Sequence, residues 1–135
     1  MGTVGRGTYE VLQRNQHEIA RRAGRGIEVA AIAVRDVAKA RARGGSKIQV
    51  SSNFDDVLRN PDIDIVVELI GGYEPAYTIA LEAIRRGKHV VTANKALLAR
   101  HGNELFDAAR SKGVMIAFEA AVAGGIPIIK TMREA

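Results

Sequence analysis

The chain alternates between short, largely apolar runs and longer amphipathic segments. Two runs, residues 27–34 (IEVAAIAV) and 64–70 (DIVVELI), have the length of a strand. Apolar runs of this length are typical of strands that are buried on both faces, as in a parallel sheet. We therefore expect buried strands at these two positions, a further strand at 89–92, and shorter strands at 48–50 and 114–118.

Segments with helical spacing separate these strands. In residues 5–24, apolar positions recur roughly every three to four residues, and Gly24 and Gly26 end the pattern. Alternating helices and strands are typical of the α/β class, and we expect a Rossmann-like, doubly wound, mainly parallel sheet. A short helix, capped by Asn53 or Asp55, is predicted to end near Asn60. Further helices are predicted at 75–86, 104–112 and 128–135.

Length and composition are those of a single globular domain. The chain has 135 residues, of which 47% are hydrophobic and 26% charged. No apolar run approaches the ~20 residues that a membrane span needs, and the N-terminus lacks the apolar core of a signal peptide. Because cysteine is absent, a disulfide framework, a thiolate zinc site and cysteine catalysis are excluded. We expect a cytoplasmic protein.

The net charge of +5 suggests an anionic partner. A basic protein raises the question of nucleic-acid binding, but six aromatic residues are too few for a base-stacking platform. Much of the basic excess lies between Arg35 and Lys47, and such a local cluster also suits a phosphorylated small molecule. We expect neither a nucleic acid nor a membrane as the partner.

The first candidate site is the glycine-rich start of the chain. Gly2 and Gly5 match the second and third glycines of the dinucleotide-binding loop G-x-G-x-x-G, with Thr3 and Val4 between them. In that loop the backbone approaches a pyrophosphate at a helix N-terminus. A glycine-rich chain end without function is the alternative. Since the first glycine and its strand are absent, we expect the sheet to lack its first strand and the natural reading frame to begin upstream.

Polar residues that follow the predicted strands are the next candidates, because ligands bind beyond the carboxyl ends of parallel strands. Arg35 follows the strand 27–34 and suits the 2′-phosphate of NADP, whereas Asp36 keeps NAD open. A solvated basic loop is the alternative for both. Lys95 ends the loop 93–95, from which it would reach a cofactor ribose or a substrate oxygen, and an exposed surface lysine is the alternative.

The segment 119–127 (EAAVAGGIP) is predicted to be irregular. Two glycines before Ile-Pro bend the backbone and turn carbonyl oxygens inward, and carbonyls with one carboxylate suit a hard cation. A hinge between domains is an alternative that is compatible with such a site. The three histidines, His17, His89 and His101, lack metal-binding spacing, so we expect them to be structural or solvated, with His101 near a helix start.

Four strings resemble the N-terminal part of homoserine dehydrogenase and together cover almost the whole chain. They are GTVGRGTYEVL (2–12), VVELIGGYEPA (66–76), GKHVVTANKALLA (87–99) and FEAAVAGGIPIIKT (118–131). The resemblance implies NAD- or NADP-dependent interconversion of L-homoserine and L-aspartate 4-semialdehyde, on the route to threonine, isoleucine and methionine. Residues 1–135 are then the cofactor domain, ending where a substrate domain starts.

The resemblance also implies specific site residues. Lys95 is the implied catalytic residue, while the family's second catalytic lysine and the rest of its substrate site lie beyond residue 135. The resemblance places cofactor contacts at Thr3, Val4, Thr92, Asn94 and Lys95, with Gly71 and Gly72 on the nicotinamide side. The glycine-loop pattern adds Gly2 and Gly5, and the strand pattern adds Arg35. A sodium or potassium ion is implied at Glu119, Val122, Gly124 and Ile126, the last three through backbone carbonyls.

Two functions are therefore open. The full-length protein is expected to be a dehydrogenase and a homo-oligomer. These 135 residues by themselves are expected to be inactive, and a module that binds NADP without turnover is the alternative function.

Overall fold

The computed structural model describes residues 1–44, 48–124 and 126–135. They form two compact units, Met1–Val57 and Leu58–Ala135. Each unit contains a parallel sheet with helices between its strands, which confirms the predicted α/β class. Within the described part of the chain, no helix is both long enough and apolar enough to cross a membrane.

The first unit contains a two-stranded sheet and three helices. The predicted helix 5–24 is present but is divided at Asn15 into two helices, and Gly24 ends the second one with a left-handed φ of 74°. The elements are α1 (Thr3–Arg14), α2 (Gln16–Ala23), β1 (Ala31–Ala33), α3 (Val37–Gly44) and β2 (Gln49–Ser51), followed at the unit boundary by α4 (Asp55–Leu58). The Asn53 side chain accepts a hydrogen bond from the Asp55 N–H at the start of α4, as predicted.

Strand β1 is shorter and more exposed than the sequence predicts. The apolar run 27–34 forms a strand only at Ala31–Ala33, and none of its residues is fully buried. The expectation of burial on both faces is wrong here. Within the described residues, β1 pairs with β2 alone. An apolar run predicts extended backbone, but burial depends on how many elements pack around the strand.

The second unit is built on a three-stranded parallel sheet in the order β3-β4-β5. Helix α5 packs against α6 and against the first two strands, and the core includes Ile84, Val90, Leu97 and Leu105. The elements are β3 (Ile65–Glu68), α5 (Ala76–Arg85), β4 (His89–Thr92), α6 (Lys95–Lys112), β5 (Ile116–Ala117), a 3-10 turn (Glu119–Ala121) and α7 (Ile128–Glu134). The predicted positions of α5, β4 and α7 are confirmed.

Strand β3 is buried on one face only. Val66 and Glu68 are 6% and 2% exposed, whereas Ile65 and Val67 are each 43% exposed. Successive side chains of a strand point to opposite faces, and only one face of β3 is covered. The prediction that the run 64–70 is buried on both faces is therefore wrong, because its composition does not reveal how each face is covered.

Helix α6 begins well before the predicted start at Glu104. It spans Lys95–Lys112, 18 residues, so His101 lies within the helix and not near its start. The side chain of Asn94 caps it by accepting a hydrogen bond from the Leu97 N–H at 3.0 Å. An internal Gly102 disfavours helix by about 1 kcal/mol, but the burial of Leu97 outweighs that cost.

Candidate functional site

The last residues of β3 and β4 form a buried polar pair. Glu68 lies opposite Thr92 in the parallel register, and the two residues are 2% and 1% exposed. The Thr92 hydroxyl donates a hydrogen bond to Glu68 Oε2 at 2.6 Å. Burial of polar groups is costly unless they are hydrogen-bonded, and this bond connects the two strand ends directly.

The turn after β3 is held by the same carboxylate. Gly71 and Gly72 have φ angles of 81° and 73°, a left-handed conformation that glycine adopts far more readily than other residues. Glu68 Oε1 accepts hydrogen bonds from the N–H groups of Ile70 at 2.6 Å and Gly71 at 3.4 Å. The predicted break at these glycines is confirmed, and the Glu68 side chain fixes the start of the turn that contains them.

Asn94 joins the turn to the start of α6. Its backbone N–H donates to the Thr92 hydroxyl at 3.0 Å, and its side-chain Nδ2 donates to the Gly72 carbonyl at 2.7 Å. Its side chain also caps Leu97 and its carbonyl accepts from the Leu98 N–H at 3.2 Å, so Asn94 makes four hydrogen bonds and is only 7% exposed. The structure thus brings the predicted residues Gly71, Thr92 and Asn94 together at the carboxyl edge of β3 and β4.

Lys95 is the first residue of α6 and directly follows this network. The sequence predicts it in a loop, which is wrong, because Asn94 starts the helix one residue earlier. Its side chain is exposed and makes no hydrogen bond or ion pair with the residues that the structure describes. A cation at a helix N-terminus is not favoured by the helix dipole. Because it is exposed and has no partner among the described residues, the ammonium group is available to a ligand.

The glycine-rich start of the chain lies at the N-terminus of α1. Gly2 is extended and precedes the helix, and Thr3 and Val4 form its first turn. A Cβ on Gly5 would meet only the Met1 side chain, at 4.0 Å, so the close packing expected of a third loop glycine is not observed. An open pocket of about 450 Å³ borders this helix start. Its lining residues are Met1, Gly2, Thr3, Arg6, Gly7, Glu10 and Lys39.

Arg35 and Asp36 follow β1, as the sequence predicts, and they have different environments. The Asp36 carboxylate accepts a hydrogen bond from the Lys39 N–H at 2.9 Å, which caps α3. Arg35 is exposed and forms no ion pair within the described ranges. Its guanidinium group is therefore open to an anion, whereas Asp36 is already engaged. Lys47, the end of the predicted basic cluster, lies outside the described residues.

The loop predicted to bind a cation has its oxygen atoms partly engaged. Glu119 accepts hydrogen bonds from the N–H groups of Ile129 at 2.9 Å and Lys130 at 3.0 Å, which caps α7. Ala123 and Gly124 have φ angles of 53° and 62°, so the predicted bend is present. The Ile126 carbonyl accepts from the Ile128 N–H at 2.8 Å. Gly125 lies outside the described residues.

These oxygens nevertheless suit a hard cation chemically. Carboxylate and carbonyl oxygens each keep a second lone pair after accepting one hydrogen bond, and hard cations bind oxygen ligands. No group of three or more His, Cys, Asp or Glu side chains gathers for a metal among the described residues. A cation at this loop would therefore depend on the backbone carbonyls of Val122, Gly124 and Ile126 together with Glu119.

The histidines take no part in these clusters. His89 Nδ1 accepts a hydrogen bond from the Met115 N–H at 3.0 Å, and the ring of His101 lies 4.3 Å from that of Tyr77. His17 is exposed. Their contacts agree with the structural or solvated role expected of them.

The sequence analysis does not identify Glu68, whose carboxylate accepts three hydrogen bonds in the cluster. One signal was present, since Glu68 is a carboxylate within the otherwise apolar run VVELI. A charged residue in a buried strand needs hydrogen-bond partners, and this need marks it as part of a polar network.

The chain matches the family described as "Homoserine dehydrogenase, NAD binding domain" over residues 1–119. It is 62% identical over 134 residues to homoserine dehydrogenase of Pseudomonas aeruginosa and 51% identical to that of Neisseria gonorrhoeae. Each match covers 99% of this chain, and the two cover 30% and 31% of the respective relatives.

The fold is similar to that of a solved homoserine dehydrogenase. The crystal structure of the enzyme from Thiobacillus denitrificans superposes with a TM-score of 0.93 at 60% sequence identity. That match covers 99% of this chain and 31% of the other. The chain therefore spans about three tenths of the length of the relatives that it matches.

Proposed function

This chain belongs to the homoserine dehydrogenase NAD-binding domain family, and on that premise we propose that it carries the cofactor of an NAD(P)-dependent homoserine dehydrogenase. The protein containing it interconverts L-homoserine and L-aspartate 4-semialdehyde. The observation that carries this proposal is the family match over residues 1–119, together with 62% identity over 134 residues to a named homoserine dehydrogenase. The polar network at the carboxyl ends of β3 and β4 supports it, because ligands of parallel sheets bind there.

In the first unit, the start of α1 provides backbone N–H groups for the cofactor phosphates. The residues proposed for this contact are Gly2, Thr3, Val4 and Gly5. Helix N-termini favour anions because their first N–H groups have no partner in the helix. Arg35, exposed and unpaired among the described residues, binds the 2′-phosphate, so we favour NADP over NAD.

In the second unit, Gly71, Thr92 and Asn94 hold the nicotinamide side of the cofactor. The bound nicotinamide supplies hydride acceptance and return. The Lys95 ammonium donates hydrogen bonds to the cofactor ribose or to the substrate oxygen, and it orients the substrate for hydride transfer. Because Asn94 fixes the first turn of α6, Lys95 starts from a defined backbone position.

A monovalent cation, sodium or potassium, is the second ligand that we propose. It binds oxygen atoms of Glu119, Val122, Gly124 and Ile126 and stiffens the loop before α7. Glu119 already bonds two N–H groups of α7, so a cation there would link the loop to this helix. Thermal unfolding in sodium, potassium and a large organic cation at equal ionic strength tests the site. Identical midpoints in all three salts would contradict it.

The experiment that tests the function is homoserine-dependent reduction of NADP by the natural protein in which this chain occurs. We expect turnover, and calorimetry on these 135 residues is expected to show nucleotide binding. Binding without turnover in the natural protein would favour the alternative, a module that holds NADP without chemistry. Absence of both would contradict the proposal. A cytoplasmic location and a homo-oligomeric full-length protein belong to the same proposal.

A further inference from the structure

Glu68 is a buried carboxylate to which the proposed reaction assigns no task. It is 2% exposed, and no cation pairs with it among the residues that the structure describes. Three donors satisfy it, the N–H groups of Ile70 and Gly71 and the hydroxyl of Thr92. A buried charge that relies on hydrogen bonds alone is intolerant of losing any of them.

The direction of each hydrogen bond in this network is fixed. The Asn94 N–H can only donate, so the Thr92 hydroxyl accepts from it and gives its single hydrogen to Glu68. A carboxylate accepts all three bonds that reach it. Two of them are 2.6 Å long, and hydrogen bonds to an ionised acceptor are shorter than neutral ones.

The network holds two backbone segments at once. On one side, Glu68 fixes the start of the Gly71–Gly72 turn. On the other, it acts through Thr92 on Asn94, which bonds the same turn and caps the helix that Lys95 begins. A shift of the carboxylate therefore moves both the turn and the backbone that carries the Lys95 side chain.

We propose that Glu68 is a positioning residue, which sets the place of the Gly71–Gly72 turn and, through Thr92 and Asn94, that of the Lys95 ammonium. This inference rests on the proposed function, since it assigns Lys95 a task in the reaction. Glu68 itself is buried, and its effect on turnover passes through Lys95.

Substitution of Glu68 by glutamine tests the proposal with little change of shape. The glutamine amide has one oxygen that accepts hydrogen bonds and one NH2 group that donates them. Its oxygen can accept from the N–H groups of the turn or from the Thr92 hydroxyl, but it cannot replace both carboxylate oxygens. In the natural protein, Glu68→Gln is expected to lower kcat about tenfold, the equivalent of one such bond, with a smaller change in KM for homoserine. Ile84→Val, buried in α5 outside the network, is the control and is expected to leave kcat and KM unchanged.

A double variant separates positioning from general support of the fold. If Glu68 acts through Lys95, Glu68→Gln should lower kcat much less in a Lys95→Ala background than in the wild type. Equal effects in the two backgrounds, or a kcat for Glu68→Gln equal to that of Ile84→Val, would overturn the proposal. Should Glu68→Gln fail to fold, Thr92→Val breaks the same connection, and Thr92→Ser, which keeps the hydroxyl, is expected to recover part of the loss.

Amide hydrogen exchange provides a readout that needs no activity. Glu68→Gln is expected to speed exchange at Ile70 and Asn94, whereas Ile84→Val is not. Unchanged exchange at both amides would contradict the inference. A wild-type protein without homoserine-dependent turnover would instead refute the proposed function, so the two failures are distinguishable.

Discussion

Asn94 connects the end of β4, the Gly71–Gly72 turn and the first turn of α6, and its replacement by alanine makes the sharpest stability prediction. The variant loses the cap on the Leu97 N–H, worth about 1 kcal/mol, and the 2.7 Å bond to the Gly72 carbonyl. A net hydrogen bond contributes about another 1 kcal/mol. We therefore expect Asn94→Ala to lower the free energy of unfolding by about 2 kcal/mol.

Asn94→Ser is the matched control for this prediction. Serine is a good N-cap residue, but its side chain is too short to replace the bond to the Gly72 carbonyl, so about half of the loss should return. Urea denaturation followed by circular dichroism measures both variants. A change below about 0.3 kcal/mol for Asn94→Ala, or an equal loss for both variants, would refute the assignment of these two bonds.

Lys95, Arg35 and Glu18 can each be tested separately. Lys95→Ala should lower turnover strongly but change the free energy of unfolding by less than about 0.5 kcal/mol. The reason is that the side chain is exposed and has no partner among the described residues. Equal turnover in variant and wild type would remove Lys95 from the site. Arg35→Ala should weaken NADP binding more than NAD binding in calorimetry, and an unchanged ratio of the two affinities would exclude a contact with the 2′-phosphate. Hydrogen bonds, the larger effect from Arg21 and the smaller from Arg22, lower the pKa of the Glu18 carboxyl below its ordinary 4.5. These bonds stabilise α2 fully at pH values above 4.5, and the stabilisation is lost as the pH falls through the lowered pKa. An NMR titration of Glu18 with an ordinary midpoint would contradict this.

Much of the secondary structure was predictable because it depends on local patterns. The strand 89–92 is found at those residues, and the left-handed glycines at 24, 71 and 72 end elements where the sequence indicates a break. Burial was less predictable, since an apolar run such as 27–34 does not show how many elements pack on it. The start of α6 was missed because Gly102 weakens the helical pattern and only the cap at Asn94 reveals the true beginning.

The candidate site was predictable in part for a related reason. Gly71 and Lys95 follow predicted strands and Thr92 ends one, and the rule that ligands bind at carboxyl ends selects all three from the sequence. Glu68 was missed because its role depends on the register that places it opposite Thr92, a residue 24 positions away. Cross-strand register is a tertiary property that the pattern of a single sequence does not predict.

We expect this domain to bind a nicotinamide dinucleotide at the carboxyl ends of its strands. Titration of NADP into isotope-labelled protein, followed by amide NMR shifts, tests that claim most directly. The account predicts saturable shifts at residues 2–5 and 71–95, with the largest of the second range at 71–72 and 92–95. No shifts at any concentration, or shifts confined to the amino ends of the strands around Asp64 and His89, would contradict it.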